Sequence, residues 1–69
     1  MPRLHSSKKI IKALKENGFD IISQKGSHIK LVSRQKKLVV IVPANRKEIP
    51  MGTFYSILRQ SKLSKEHFE

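Results

Sequence analysis

The sequence predicts a small α+β domain in the order α-β-β-β-α, a three-stranded antiparallel sheet with both helices on one face. Three observations carry that prediction. Apolar residues near either end recur at helical spacing, Ile10-Ile11-Leu14 and Phe54-Ile57-Leu58. Between Phe19 and Val42 the spacing falls to two and β-branched residues accumulate. The strand candidates are joined by short polar turns, and a parallel crossover needs a dozen residues or more, so consecutive strands must run antiparallel.

The first helix begins at Ser6 or Ser7, whose hydroxyl can accept a free N–H of the opening turn. Lys8, Lys12 and Lys15 form a basic stripe on the side away from Ile10, Ile11 and Leu14. Asn17-Gly18 stops the helix with Gly18 at the left-handed position, and Phe19 then packs back on Leu14 as in a Schellman motif. A first strand follows from Phe19 to about Gln24, and Lys25-Gly26 makes a tight turn. The second strand runs from Ser27 to Ser33, with Ile29 and Leu31 on one side and His28 and Lys30 on the other. Arg34-Gln35-Lys36-Lys37 is a polar connection, Leu38 to Val42 the third strand, and Pro43 its end.

Residues 44–50 read as a loop, and a second helix starts near Gly52 or Thr53 and runs to about Ser61. Phe54, Ile57 and Leu58 form its buried stripe, while Tyr55, Arg59 and Lys62 share another face. A last helical turn is capped by Ser64, with Leu63 and Phe68 at hydrophobic-staple spacing. Two apolar helix stripes must cover one face of a three-stranded sheet, which leaves the other in water. If Ile29 and Leu31 point to the helices, His28 and Lys30 point outward.

The chain has 69 residues and reads as a single domain over 1–69, with one small core. It has no cysteine and only three scattered histidines, which excludes disulfides and argues against a structural metal site. No apolar run approaches the roughly 20 residues that span a bilayer, and the segment from Met1 to Ser7 lacks a signal peptide's apolar core. A soluble, cytoplasmic protein is expected. Fifteen Lys and Arg against five Asp and Glu give a formal charge of +10, a field that attracts polyanions. Nucleic acid is the leading partner class and an acidic protein the second. A membrane surface ranks last, because neither helix joins a wide apolar face to interfacial aromatics.

Chemistry concentrates at Lys25-Gly26-Ser27-His28-Ile29-Lys30. Histidine exchanges protons near neutral pH, so His28 is the candidate general base for RNA cleavage, taking the proton from a 2′-hydroxyl that attacks the adjacent phosphorus. Lys25 and Lys30 flank it as phosphate ligands, with Lys30 on its own strand face. Ser27 is a phosphate donor or a turn cap. Gly26 is a positive-φ turn residue, a gap through which an RNA backbone approaches, or both. The plainer alternative for His28 is a solvated histidine beside a turn. Lys8, Lys12 and Arg59 are candidate RNA contacts whose plainer reading is a solvated helix face. His5 and His67, near the termini, read as surface residues. No cofactor or metal is called for.

The sequence also resembles the HicA toxins of toxin–antitoxin pairs over nearly its whole length. The resemblance rests on Lys12-x-Leu14 through Gly18-Phe19, Lys25-Gly26-Ser27-His28, Val42-Pro43, Glu48-Ile49-Pro50-Met51-Gly52-Thr53-Phe54 and Ile57-Leu58-Arg59-Gln60. It implies a fold similar to a double-stranded-RNA-binding domain. It also implies an endoribonuclease that cuts mRNA and arrests growth, with its catalytic histidine at His28. The implied partner is a HicB-like antitoxin, the toxin being a monomer when free and part of a hetero-oligomer when neutralised. Many members carry a second histidine directly after the first, where this chain has Ile29, and another after the Val-Pro, where it has Asn45. Many end the second helix in Ala-Gly-Leu, where this chain has Ser61-Lys62-Leu63. The rival from another class is a non-catalytic basic RNA-binding module.

Overall fold

A computed structural model describes residues 4–69; the first three, part of the N-terminal segment weighed above as a signal peptide, lie outside the described residues. The elements are α1 (Ser7–Glu16), β1 (Asp20–Lys25), β2 (His28–Ser33), β3 (Leu38–Pro43), α2 (Met51–Ser61) and a short 3₁₀ helix (Lys65–Phe68). The strands form one antiparallel sheet in the order β1-β2-β3. This is the α-β-β-β-α arrangement expected, similar to a double-stranded-RNA-binding domain.

Both ends of α1 are closed by side chains or motifs the sequence supplies. Ser6 is the cap residue, its hydroxyl accepting the Lys9 N–H at 3.1 Å. At the other end Gly18 takes φ +91°, the Gly18 N–H reaches the Lys15 carbonyl at 3.3 Å, and the Phe19 N–H reaches the Leu14 carbonyl at 2.9 Å. That pair of bonds is the Schellman pattern, and Phe19 and Leu14 are both fully buried. Phe19 thus belongs to the helix end, and the first strand starts one residue later than its apolar pattern implied.

Ser7 has a different task from Ser6. It is buried, donates to the Pro43 carbonyl at 2.6 Å and accepts the Arg46 N–H at 3.0 Å, while its own N–H bonds the Arg46 carbonyl at 2.9 Å. One serine therefore joins the start of α1 to the end of β3 and to the loop after it.

The core lies between the helices and one face of β2 and β3. Ile29, Leu31, Val40 and Val42 enter it from the sheet, Ile10, Ala13, Leu14, Phe54 and Ile57 from the helices. Ile11 and Leu58, placed in the buried stripes by spacing, are only half-buried at the margin. β1 differs from the other strands because every one of its residues is exposed, including Ile21 and Ile22. The helices pack over β3, so β1 projects beyond their cover. A bulge between Ile21 and Ser23 also interrupts its ladder with β2, a common device at sheet edges.

The second helix starts at Met51 after Pro50, slightly earlier than expected, and ends at Ser61 as expected, with Lys62 as its left-handed cap residue at φ +62°. Beyond it, Ser64 and His67 form a capping box around the 3₁₀ helix. The Ser64 N–H donates to His67 Nδ1 at 3.1 Å, so a histidine fills the place usually held by Glu or Gln. His5 is also more than a surface residue. Its ring lies 4.9 Å from that of Phe54, centroid to centroid, and Phe54 in turn meets Phe68 edge-on at 5.4 Å. Burial, with help from the Lys9 charge, holds the His5 pKa below its ordinary value of 6.5, against a smaller opposing pull from Glu69.

Two outcomes are expected. Ser7→Ala strands the Pro43 carbonyl and the Arg46 N–H, and should lower stability by about 1–3 kcal/mol in a denaturant melt. His5 with a lowered folded pKa binds fewer protons in the native state than in the unfolded one, so its contribution weakens as pH falls through 6.5. A His5→Phe variant should therefore lose less stability than the wild type on acidification from neutrality to about pH 5.5, measured as the difference between the two pH profiles.

Candidate active site

The turn between β1 and β2 has two central residues, Gly26 and Ser27, one position later than the sequence implied. Gly26 takes φ +55° and Ser27 does not share the positive sign, the pattern of a type II′ hairpin turn. Lys25 and His28 therefore face each other as the first cross-strand pair. Ser27 is tied down as well, its carbonyl accepting the Ala44 N–H at 2.7 Å.

From that start the register lays out the open face. Lys25, His28 and Pro43 form one row across the sheet, and Ser23, Lys30 and Ile41 form the next. Side chains alternate along a strand, so His28 and Lys30 share the face opposite Ile29 and Leu31. Lys25 is directly opposite His28, where Cβ atoms lie about 4.5–5.5 Å apart, and Lys30 is two residues along the same strand, about 6–7 Å away, so both long side chains reach a group held at the histidine. Ser23, Lys25, His28, Lys30 and Ile41 line an open cavity of about 280 Å³. Among the described residues no carboxylate lines it. Ile41 is its apolar wall, and the Ile41 N–H, on the free edge of β3, donates to Gln60 Oε1 at 3.1 Å.

The other residues singled out in the sequence lie elsewhere. Gly26 and Ser27 form the adjoining turn but do not line the cavity. Lys8 and Lys12 are exposed on α1, which covers the opposite face of the sheet. Arg59 is exposed on α2, with Nη2 donating to Ser56 Oγ at 3.3 Å. Ser23 and Ile41 were not anticipated. Alternation within β3 and its pairing with β2 would have found Ile41. Ser23 reaches the open face only because the bulge skips Ile22, and no local pattern announces that shift. Among the described residues no three His, Asp or Glu side chains gather to hold a metal ion, and no helix is long and apolar enough to cross a membrane.

Fold and site together define a class: a small, strongly basic α+β domain that presents a histidine between two lysines on its open sheet face. The family model of the HicA toxin of bacterial toxin–antitoxin systems matches residues 7–63, all but the ends of the chain, and the chain belongs to that family. It is the toxin of a toxin–antitoxin pair, in a family whose members in general cleave mRNA. No individually curated protein matches the chain.

A Cβ placed on Gly26 meets no atom within 4 Å, so substitution there acts through the backbone alone. Gly26→Ala should destabilise the fold by about 1–2 kcal/mol, the cost of holding an L-residue at positive φ. If cleavage under conditions where the variant is fully folded equals that of the wild type, the glycine serves the turn and not substrate approach.

Proposed function

We propose that this toxin is an endoribonuclease that cuts mRNA without a metal ion, with His28 as general base. The observation that carries the reading is the hairpin register that puts His28 between Lys25 and Lys30 at one open cavity. His28 takes the proton of a ribose 2′-hydroxyl, whose oxygen bonds the adjacent phosphorus. The bond from phosphorus to the 5′-oxygen breaks, and that oxygen leaves with a proton drawn from water or a lysine. The products are a 2′,3′-cyclic phosphate and a 5′-hydroxyl. Lys25 and Lys30 bind the phosphate oxygens and offset the charge that builds on them. One acid–base residue supplies about 10²–10⁴-fold, which describes a slow enzyme.

The wider setting follows the family. The protein acts in the cytoplasm, where its substrate is, as a monomer until a HicB-like antitoxin joins it in a hetero-oligomer. That antitoxin covers the open face and screens its charge. Val39 and Ile41, both well exposed there, give it apolar area to bury alongside the lysines.

The test is cleavage of a defined RNA by purified protein in EDTA, with the new ends identified. His28→Ala should lose at least a hundredfold in rate and retain RNA binding. Lys30→Ala should weaken binding and lower the slope of log K against log salt by about one. Intact RNA that both wild type and His28→Ala nevertheless bind would make the protein a binding module.

A further inference from the structure

A second cavity, of about 340 Å³, lies on the other side of β2 from His28, where α1, β2 and the loop after β3 meet. Its apolar walls come from Ile11 and Ile29, and Lys8, Arg46 and Lys47, all exposed, stand around it. Asn45, at φ +57°, adds the one side-chain amide among its described residues. Among the described residues no carboxylate lines it, although Glu48 is next in sequence. Apolar walls with a cationic rim and a single amide suit a ligand with a flat apolar body, a polar edge and flanking negative charge. An unpaired nucleotide has that make-up.

The cavity is built rather than incidental. Ser7 holds the loop in place through its bonds to Arg46 and Pro43, so Asn45, Arg46 and Lys47 project from a fixed backbone. The Ser7 hydroxyl is engaged as both donor and acceptor, while Ser6 accepts the Lys9 N–H and keeps its own O–H to donate, so a ligand meets that hydroxyl together with the cationic and amide side chains.

Position links this cavity to catalysis. His28 and Ile29 are consecutive residues of one strand and point to opposite faces, so the two cavities stand back to back at the turn end of β2. An RNA strand that occupies both has to pass around that turn end, a path of a few nucleotides rather than one.

We propose, on the basis of the ribonuclease reading above, that this cavity binds one unpaired base of the substrate strand a few nucleotides from the cut, with its phosphates on Lys8, Arg46 and Lys47. It is a specificity subsite, and it requires the RNA to be single-stranded at that point. The test uses short RNAs of one sequence with a single cut site, each carrying one abasic ribonucleotide at a different position. These are cleaved by the wild type and by an Arg46→Ala/Lys47→Ala variant, whose substitutions lie on an exposed loop. In the wild type, one abasic position a few nucleotides from the cut should lower kcat/KM about tenfold. The variant should still cut, with that penalty abolished. The proposal falls if the wild type cuts every abasic RNA equally, or if the variant keeps the full penalty. It also falls if the variant is altered only in antitoxin binding, which would make the cavity a protein-docking site. A wild type that cuts none of the RNAs overturns the ribonuclease reading itself, a result separate from the other three.

Discussion

With Gly26 at positive φ, Lys25 and His28 face each other across the turn, and every pairing further along β1 and β2 follows from that first one. The side-chain period of a strand is two, so a slip of one residue in β2 would turn His28 and Lys30 into the core and Ile29 and Leu31 out to water. The core forbids that slip, because Leu31 is fully buried and Ile29 nearly so. Packing under the sheet thus fixes chemistry above it. β3 completes the arrangement by placing Ile41 beside Lys30, with Gln60 of α2 occupying an N–H that the sheet leaves free.

A domain this short buries only about 60% of its chain's surface and has little stability to spare, and a charge of +10 adds self-repulsion. The fold meets both with local devices that remove unsatisfied backbone groups. The Schellman end of α1 and the Ser7 clasp tie the chain after the helix and the loop after β3 to elements already in the core, and the Ser64–His67 box closes the start of the last 3₁₀ turn, whose Phe68 is buried. The charge itself is distributed so that neither face is neutral, with Lys25 and Lys30 on the open side of the sheet and Lys8 and Lys12 on α1. A polyanion or an acidic partner would relieve that repulsion on binding.

Most of the elements could be read from the sequence because they depend on neighbours in the chain. The helix end at Gly18-Phe19 and the alternation of His28-Ile29-Lys30-Leu31 are local patterns, and both appear in the fold as read. What could not be read depends on partners far away in sequence. Ser7 looks like a helix cap until Arg46 and Pro43 are seen to share its hydroxyl. His5 looks exposed until the Phe54 ring arrives beside it. Ser23 gives no local sign of sharing a row with Lys30 until the bulge after Ile21 shifts the register. In each case the decisive group is supplied by tertiary packing, which leaves no trace in the spacing of nearby residues. The pairing of His28 with Lys30 on the open face was legible for the opposite reason: both lie on one strand.

The placement of the basic residues also bears on what kind of RNA the fold can serve. Lys8 and Lys12 on α1 and His28 on the open sheet face lie on opposite sides of the sheet. A rigid A-form duplex laid along α1 presents its phosphates to that side only, and its 2′-hydroxyls cannot reach His28 through the sheet. An RNA that touches both sets of residues has to turn around the end of β2, past the Gly26–Ser27 turn and the loop after Pro43. Only an unpaired strand bends that sharply without losing stacked pairs. On the ribonuclease reading, a histidine on the open sheet face is therefore matched to a flexible single strand rather than to a duplex, even in a fold similar to a double-stranded-RNA-binding domain.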